Sequence, residues 1–403
     1  MGMSAKSKKA AVAMSGGVDS SVAAALLKRE GWEVLGVTLR LLPDAPGVED
    51  ARRVAEHLGI PHRVLDCVSF FKEKVVDYFC REYLQGRTPN PCAVCNPAIK
   101  FGVLLEEVLK WGMDYLATGH YARCVWDEEK QCYLLLAGAD WRKDQSYFLY
   151  RLSQAQLARV LFPLGGLMKE EVRALARQWG LPAAEKKESQ EICFVNGGGY
   201  AELVREWSRS EKGGAAGIGE ESAGEGVKKP GDRAGGRLGA GRAAGPNGGS
   251  GAGPCAWQTV RPGPILDREG KCLGEHRGLI YYTVGQRRGL GIHAPHPLYV
   301  LKLDKDRNAL IVGKEEELYS ARLRAGEVHF ISPALVPSEE EWVQARIRST
   351  ARPAKARLFL LGQPLGAREA EVVFEQPQRA VTPGQAVVFY KGETVLGGGV
   401  ILS

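Results

Sequence analysis

Residues 14–21 read Met14-Ser15-Gly16-Gly17-Val18-Asp19-Ser20-Ser21. They stand between a short apolar run at 10–14 and a segment, 20–30, whose apolar residues Val22, Ala23, Ala25, Leu26 and Leu27 recur at helical spacing. Two consecutive glycines let the backbone turn with its N–H groups pointing inward. The helix that follows brings its positive end to the same place, so strand, turn and helix together make a cradle for phosphate. Ser15, Ser20 and Ser21 add hydroxyl donors, and Asp19 could hold a Mg²⁺ ion bridging phosphates. A lone Gly-Gly would read as an ordinary turn capped by Ser20; the whole string in this setting favours the cradle. It is not a Walker A loop, because no Gly-Lys-Ser/Thr follows at the required spacing.

Outward from this loop the alternation continues. A strand at 34–39, a helix at 51–58, a strand at 63–65, a longer helical stretch, a strand at 115–118 and a helix at 169–179 follow in order. Strands alternating with helices imply an α/β unit with a parallel sheet covered on both faces. From about 208 to 253 the chain is dominated by Gly, Ala, Ser and charged residues. Such a composition buries too little apolar surface to offset the entropy of ordering, so it reads as a disordered insertion or linker. From 257 onward the pattern is short strands and turns: a hairpin of 297–303 with 309–312, then 342–348, 356–361, 371–374, 386–390 and 394–401, a small barrel or sandwich. The expected division is 1–207, 208–256, 257–318 and 319–403.

The chain has 403 residues, enough for two or three domains, and 54 Lys+Arg against 47 Asp+Glu, a net charge of +7. That mild excess fits a polyanionic partner such as RNA but does not require one. No apolar run reaches the roughly 18 residues of a membrane span, and the basic N-terminus runs into the glycine loop rather than a cleavage site. A cytoplasmic protein is expected. Nine cysteines at irregular spacing argue against a disulfide framework. Cys67, Cys80, Cys124, Cys132 and Cys272 read as buried small hydrophobes. Cys92, Cys95 and Cys193 keep different company.

The loop resembles the SGGxDS loop of the ATP pyrophosphatase superfamily, whose members split ATP between its α and β phosphates to activate a carbonyl oxygen. Two further stretches narrow the resemblance: Gly86-Arg87-Thr88-Pro89-Asn90-Pro91-Cys92-Ala93-Val94-Cys95-Asn96 with Ile99-Lys100-Phe101, and Lys187-Glu188-Ser189-Gln190-Glu191-Ile192-Cys193-Phe194. With Ala117-Thr118-Gly119-His120-Tyr121, Lys143-Asp144-Gln145-Ser146-Tyr147-Phe148-Leu149, Gly285-Gln286-Arg287-Arg288-Gly289-Leu290-Gly291 and Thr382-Pro383-Gly384-Gln385, the chain is similar to the tRNA-uridine 2-sulfurtransferases. The resemblance implies ATP-dependent thiolation of the wobble uridine of lysine, glutamate and glutamine tRNAs, with sulfur supplied by a cysteine desulfurase or relay carrier. It implies Cys95 as nucleophile, Cys193 as the persulfide carrier, and a transient Cys95–Cys193 disulfide. Ala13, Met14, Ser15, Gly16, Gly17, Val18, Asp19 and Ser20 would hold the ATP phosphates, Leu39 the adenine, and Gly119 would close on the nucleotide. Asn90, Pro91, Cys92, Lys143, Asp144 and Gln145 would lie near the target base, and His120 and Gln385 would contact tRNA. Plainer roles stay open for three of these: His120 paired with a backbone carbonyl, Lys143 as a solvated charge, Gln385 as a turn residue.

The chain departs from the family twice. Many relatives carry aspartate where Cys92 stands; three thiolates, Cys92, Cys95 and Cys193, could instead ligate a 4Fe–4S cluster with one open iron. Thr350 and Ala351 stand where an Arg-Tyr pair is frequent, leaving Arg346, Arg348 and Arg352 for phosphate contacts. Rival readings are a sulfurtransferase acting at another tRNA position, a superfamily member amidating a small molecule, and a non-catalytic RNA-binding relative. The paired Cys95 and Cys193 speak against amidation, which needs no thiol.

Overall fold

Strand Lys9–Ala13 is apolar throughout its middle, with Ala10, Ala11 and Val12 fully buried, as a central strand covered on both faces requires. It pairs in parallel with Glu33–Arg40 on one side and Tyr115–Thr118 on the other. His62–Asp66 and Val160–Leu161 complete a five-stranded parallel sheet at its two edges. Helix Val18–Arg29 packs on this sheet, with Asp19 in its first turn and Lys28 and Arg29 in its last, each complementing the helix dipole. The computed structural model describes residues 8–45, 47–186, 192–195, 199–215, 259–337, 340–362 and 369–403.

The C-terminal strands close a barrel. Tyr319–Phe330, Glu369–Arg379, Ala354–Leu361, Glu340–Arg346, Ala386–Lys391 and Thr394–Ile401 pair in that order, and the last pairs back to the first. Between the α/β unit and the barrel lies a four-stranded sheet of Tyr299–Asp304, Ala309–Gly313, Gly263–Leu266 and Cys272–His276. The architecture is therefore the expected one: an α/β unit with a parallel sheet, a small β-rich element and a C-terminal barrel.

Three features differ from expectation. Strand Tyr319–Phe330 has no counterpart in the sequence reading, because its inward positions include Ala325 and Gly326 while Arg322 and Arg324 alternate outward, which leaves little apolar signal. The hairpin Ala122–Asp127 with Cys132–Ala137 was not foreseen either; it leaves the α/β unit and joins the barrel edge through Leu136 opposite Thr394. Helix Tyr200–Ala215 runs past residue 208, into the stretch expected to lack structure. Residues 216–258, most of that stretch, and Lys187 to Glu191 lie outside the described residues.

One apolar core runs through both large units. Phe101, Leu104, Leu135, Tyr147 and Tyr150 of the first pack with Val387, Phe389 and Val395 of the barrel. A second cluster joins Phe71, Phe79, Cys95, Ile99, Phe194 and Ile280.

Candidate active site

The carboxyl ends of Lys9–Ala13 and Tyr115–Thr118 adjoin where the strand order reverses, the usual place for a ligand crevice in an open parallel sheet. A cavity of about 570 Å³ opens there. Its wall takes Ala13, Met14, Ser15, Asp19 and Ser20 from the loop, Val37, Leu39 and Val48 as an apolar side, and Lys100, Gly119, His120, Gln145 and Cys193 opposite. Gly16, Gly17 and Val18 shape the turn. Gly16 sits at φ +71°, and a Cβ there would lie 2.5 Å from the Asp50 Cβ and 2.9 Å from the Gly47 carbonyl. Ser20 Oγ accepts from the Ser15 N–H at 3.2 Å and donates to the Gly17 carbonyl at 3.1 Å, so hydroxyls brace the loop from within. A Cβ on Gly119 would stand 2.8 Å from backbone atoms of Asp19 and Ser20; glycine is what lets the end of strand Tyr115–Thr118 approach the first turn of helix Val18–Arg29.

Asp19 Oδ1 accepts from Tyr121 OH at 2.8 Å and from Lys169 Nζ at 2.7 Å, with the Lys169 side chain buried. His120 Nδ1 lies 2.8 Å from Thr118 Oγ1, between the rings of Phe101 and Phe162. Burial, reinforced by Lys100, holds its pKa well below the usual histidine value, so the ring is neutral near pH 7. Gln145 is fixed from both ends of Tyr121: its Oε1 accepts from the Tyr121 N–H at 3.1 Å and its own N–H donates to the Tyr121 carbonyl at 2.9 Å.

Cys95 closes the short helix Pro91–Cys95, whose start is set by proline at its first position and by Asn90 Oδ1 accepting from the Ala93 N–H at 3.3 Å. The chain then widens into a π-helical segment, Asn96–Val103, a form frequent at functional sites. Burial pushes the Cys95 thiol up to about 12, with the Lys100 ammonium acting in the opposite direction. Cys193 is exposed and lines the cavity, where desolvation and then Cys92 raise its pKa while Lys100 lowers it. Phe194 anchors it, meeting Phe71 and Phe79 edge-on at 5.5 and 5.1 Å in the same cluster that holds Cys95. Cys95 and Phe194, the residue after Cys193, thus share one packed core, and both cysteines are free thiols.

Similarity to known proteins runs along nearly the whole chain. Residues 8–197 match the model described as tRNA methyl transferase HUP domain, 256–314 the tRNA methyl transferase PRC-barrel domain, and 320–401 the Aminomethyltransferase beta-barrel domain. The tRNA-specific 2-thiouridylase MnmA of Syntrophomonas wolfei is 45% identical over 98% of this chain and 99% of its own length. The proteins of the same name from Moorella thermoacetica and Acetivibrio thermocellus are 45% and 41% identical, over 97% and 98% of this chain and 99% of each relative. The chain belongs to the tRNA-specific 2-thiouridylase family.

Against that family frame, some expected positions move. Asp144 does not face the cavity. It is buried, its Oδ1 accepting from the Gly138 and Ser146 N–H groups at 3.0 Å and its Oδ2 from Ser146 Oγ and the buried Arg346 of the barrel. Every lone pair is spent on structure, so it bolts the two units together. Gln385 Nε2 donates to the Thr88 carbonyl at 2.9 Å, the Thr88 N–H donates to the Pro383 carbonyl, and Gly384, at φ +91°, abuts Arg87 and Thr88. The Thr382-to-Gln385 stretch therefore clamps the loop that leads into the Cys95 helix. Asn90 is spent on the cap of that helix and Pro91 is buried in it, while Cys92 is exposed one turn before Cys95. Lys143 is half-buried on the turn after Asp140.

Among the described residues no group of three His, Cys, Asp or Glu side chains converges to hold a metal, so Cys92, Cys95 and Cys193 do not form a ready three-thiolate site for the expected cluster. Cys272, expected inside, is exposed on the edge strand Cys272–His276. Two lysines to which the sequence motifs assign no role stand at the site: Lys100 lines the cavity and Lys169 reaches Asp19. Lys169 stands at the first position of helix Lys169–Gln178, where a cation opposes the helix dipole; that misfit was its signal.

Proposed function

We propose that this chain uses ATP to replace the C2 oxygen of the wobble uridine of tRNA with sulfur. The loop from Ala13 to Ser20 holds the triphosphate at the helix N-terminus, and Leu39 with Val37 offers adenine an apolar wall. Mg²⁺ would share its coordination between substrate phosphates and Asp19. The uridine C2 oxygen attacks the α-phosphate and pyrophosphate leaves, which turns a poor leaving group into AMP. The terminal sulfur of a Cys193 persulfide attacks C2, the C2–O bond breaks, and the base is left joined to Cys193 through a disulfide. Cys95, as thiolate, attacks the Cys193 sulfur. The bond to the base-linked sulfur breaks with its electron pair, releasing 2-thiouridine and forming the Cys95–Cys193 disulfide. A thiol reductant returns two electrons, and a cysteine desulfurase or relay carrier restores the persulfide. Lysine, glutamate and glutamine tRNAs are the acceptors.

The observation that carries this reading is that Cys193 and the phosphate loop line one cavity, with Cys95 in the packed cluster that holds Phe194. With unmodified tRNA, ATP and persulfide-charged protein, pyrophosphate release should depend on tRNA. Cys193→Ser should keep that release and lose 2-thiouridine. Cys95→Ser should trap tRNA on the protein in an adduct that a reductant frees. Formation of 2-thiouridine by Cys193→Ser protein at the normal rate would sink the mechanism.

A further inference from the structure

Trp141 is 52% exposed, the most exposed large apolar side chain among the described residues. It stands on a turn that is not loose. Buried Asp140 accepts from the Arg142 N–H at 3.1 Å through Oδ1 and from the Lys169 N–H at 3.1 Å through Oδ2, and its carbonyl accepts from the Lys143 N–H. Two guanidinium groups lie over the indole, which still keeps half its surface exposed: Arg352, reaching over from the barrel, at 4.5 Å from the ring centroid, and Arg142 at 5.6 Å. Neither has a carboxylate partner among the described residues. Gln145, four residues on, lines the cavity, so the indole sits within about 14 Å of chain from the site.

Trp342 provides the contrast. It too is exposed, at 49%, and lies under Lys355 and Arg357. There, however, Lys355 is paired with Glu375 and Arg357 with Glu340, so the cations are neutralised. An exposed aromatic ring beside uncompensated guanidinium groups, on a braced turn four residues from a cavity-lining glutamine, has the chemistry of a single-stranded nucleic-acid platform: the ring stacks a base and the cations meet its phosphates.

We propose that Trp141, with Arg142 and Arg352, stacks an unpaired nucleobase adjoining the target uridine and so holds the tRNA loop open over the cavity. The inference rests on tRNA being the substrate. Arg352 makes the platform a joint product of the α/β unit and the barrel, and it supplies the aromatic stacking that Thr350 and Ala351 cannot.

The test uses the full chain with unmodified tRNA transcript. Trp141→Ala should weaken tRNA affinity about five- to hundredfold and raise KM for tRNA, with ATP affinity and thermal stability unchanged. Trp141→Tyr should restore most of the affinity, and Trp342→Ala should leave it as it was. Arg142→Gln and Arg352→Gln should each lower the slope of log affinity against log salt by about one. Unchanged tRNA affinity in Trp141→Ala would overturn the proposal, as would an equal loss in Trp342→Ala. So would a Trp141→Ala defect confined to reloading by the sulfur donor, which would mark the patch as a protein contact. If the unaltered chain itself shows no tRNA-dependent pyrophosphate release, the functional reading fails first, and the affinity comparison still judges the platform.

Discussion

Cys95 meets two opposed influences: burial disfavours its thiolate, and the Lys100 ammonium favours it. At rest burial wins, so the Cys95 thiol is protonated near neutral pH, and desolvation raises the Cys193 pKa as well. With its pKa raised from 9.0 to about 12, Cys95 at pH 8 should react with iodoacetamide slower than an ordinary thiol by a factor on the order of a hundred to a thousand. Mass spectrometry of partially alkylated protein reads this directly. Lys100 lowers the pKa of both Cys95 and Cys193, so Lys100→Met should shift the pH profile of alkylation upward at both sites, while Lys100→Arg should hold it. Unaltered profiles in Lys100→Met would exclude the lysine from the electrostatics of the pair. Cys95 and Cys193 were identifiable in the sequence by their motifs. The role of Lys100 was not, since a lysine between Ile99 and Phe101 shows its side only once the helix widens to turn it into the cavity.

The phosphate loop works as an element because two glycines allow close approaches on opposite sides. Gly16 adopts a left-handed conformation against the helix Gly47–Leu58, and Gly119 touches the first turn of the helix Val18–Arg29. Gly16→Ala adds a left-handed penalty of about 1–2 kcal/mol to a clash with the Asp50 side chain. Gly119→Ala carries no such backbone penalty but drives Cβ into the helix backbone. Both should abolish ATP binding measured by calorimetry, with Gly16→Ala also lowering the melting temperature. Retained ATP affinity in Gly119→Ala would show that this close approach to the helix is not needed for binding. The loop and its flanking strand and helix were legible because backbone geometry there is dictated locally by glycine. Strand Tyr319–Phe330 was illegible because its inward face is built partly from Ala325 and Gly326, whose burial is decided by the strands on either side.

Across the whole molecule the α/β unit and the barrel are joined by a shared apolar core, the hairpin edge at Leu136 and Thr394, and the buried Asp144–Arg346 pair. Breaking a buried pair from one side strands the other charge. Asp144→Ala should therefore cost about 3–5 kcal/mol in urea unfolding. Asp144→Ala with Arg346→Met should lose less than the two single changes together, by about 1–3 kcal/mol. Strict additivity would mean the two charges do not stabilise each other. The union serves the site, because the barrel's Thr382-to-Gln385 stretch holds the loop that leads into the Cys95 helix.

By itself the sequence determined the α/β class, a C-terminal region of short strands and the strand–turn–helix of the glycine loop, since each depends on periodicity or glycine freedom; closure of those strands into a barrel was decided by their pairing. Only the tertiary structure decided that Asp144 and Gln385 join units, that Cys95 is buried, that Lys100 lines the cavity, and that Lys169 reaches Asp19 and Arg352 reaches Trp141. Those outcomes depend on which distant side chain fills the space and hydrogen-bonding capacity around each group. Local sequence carries no record of that choice.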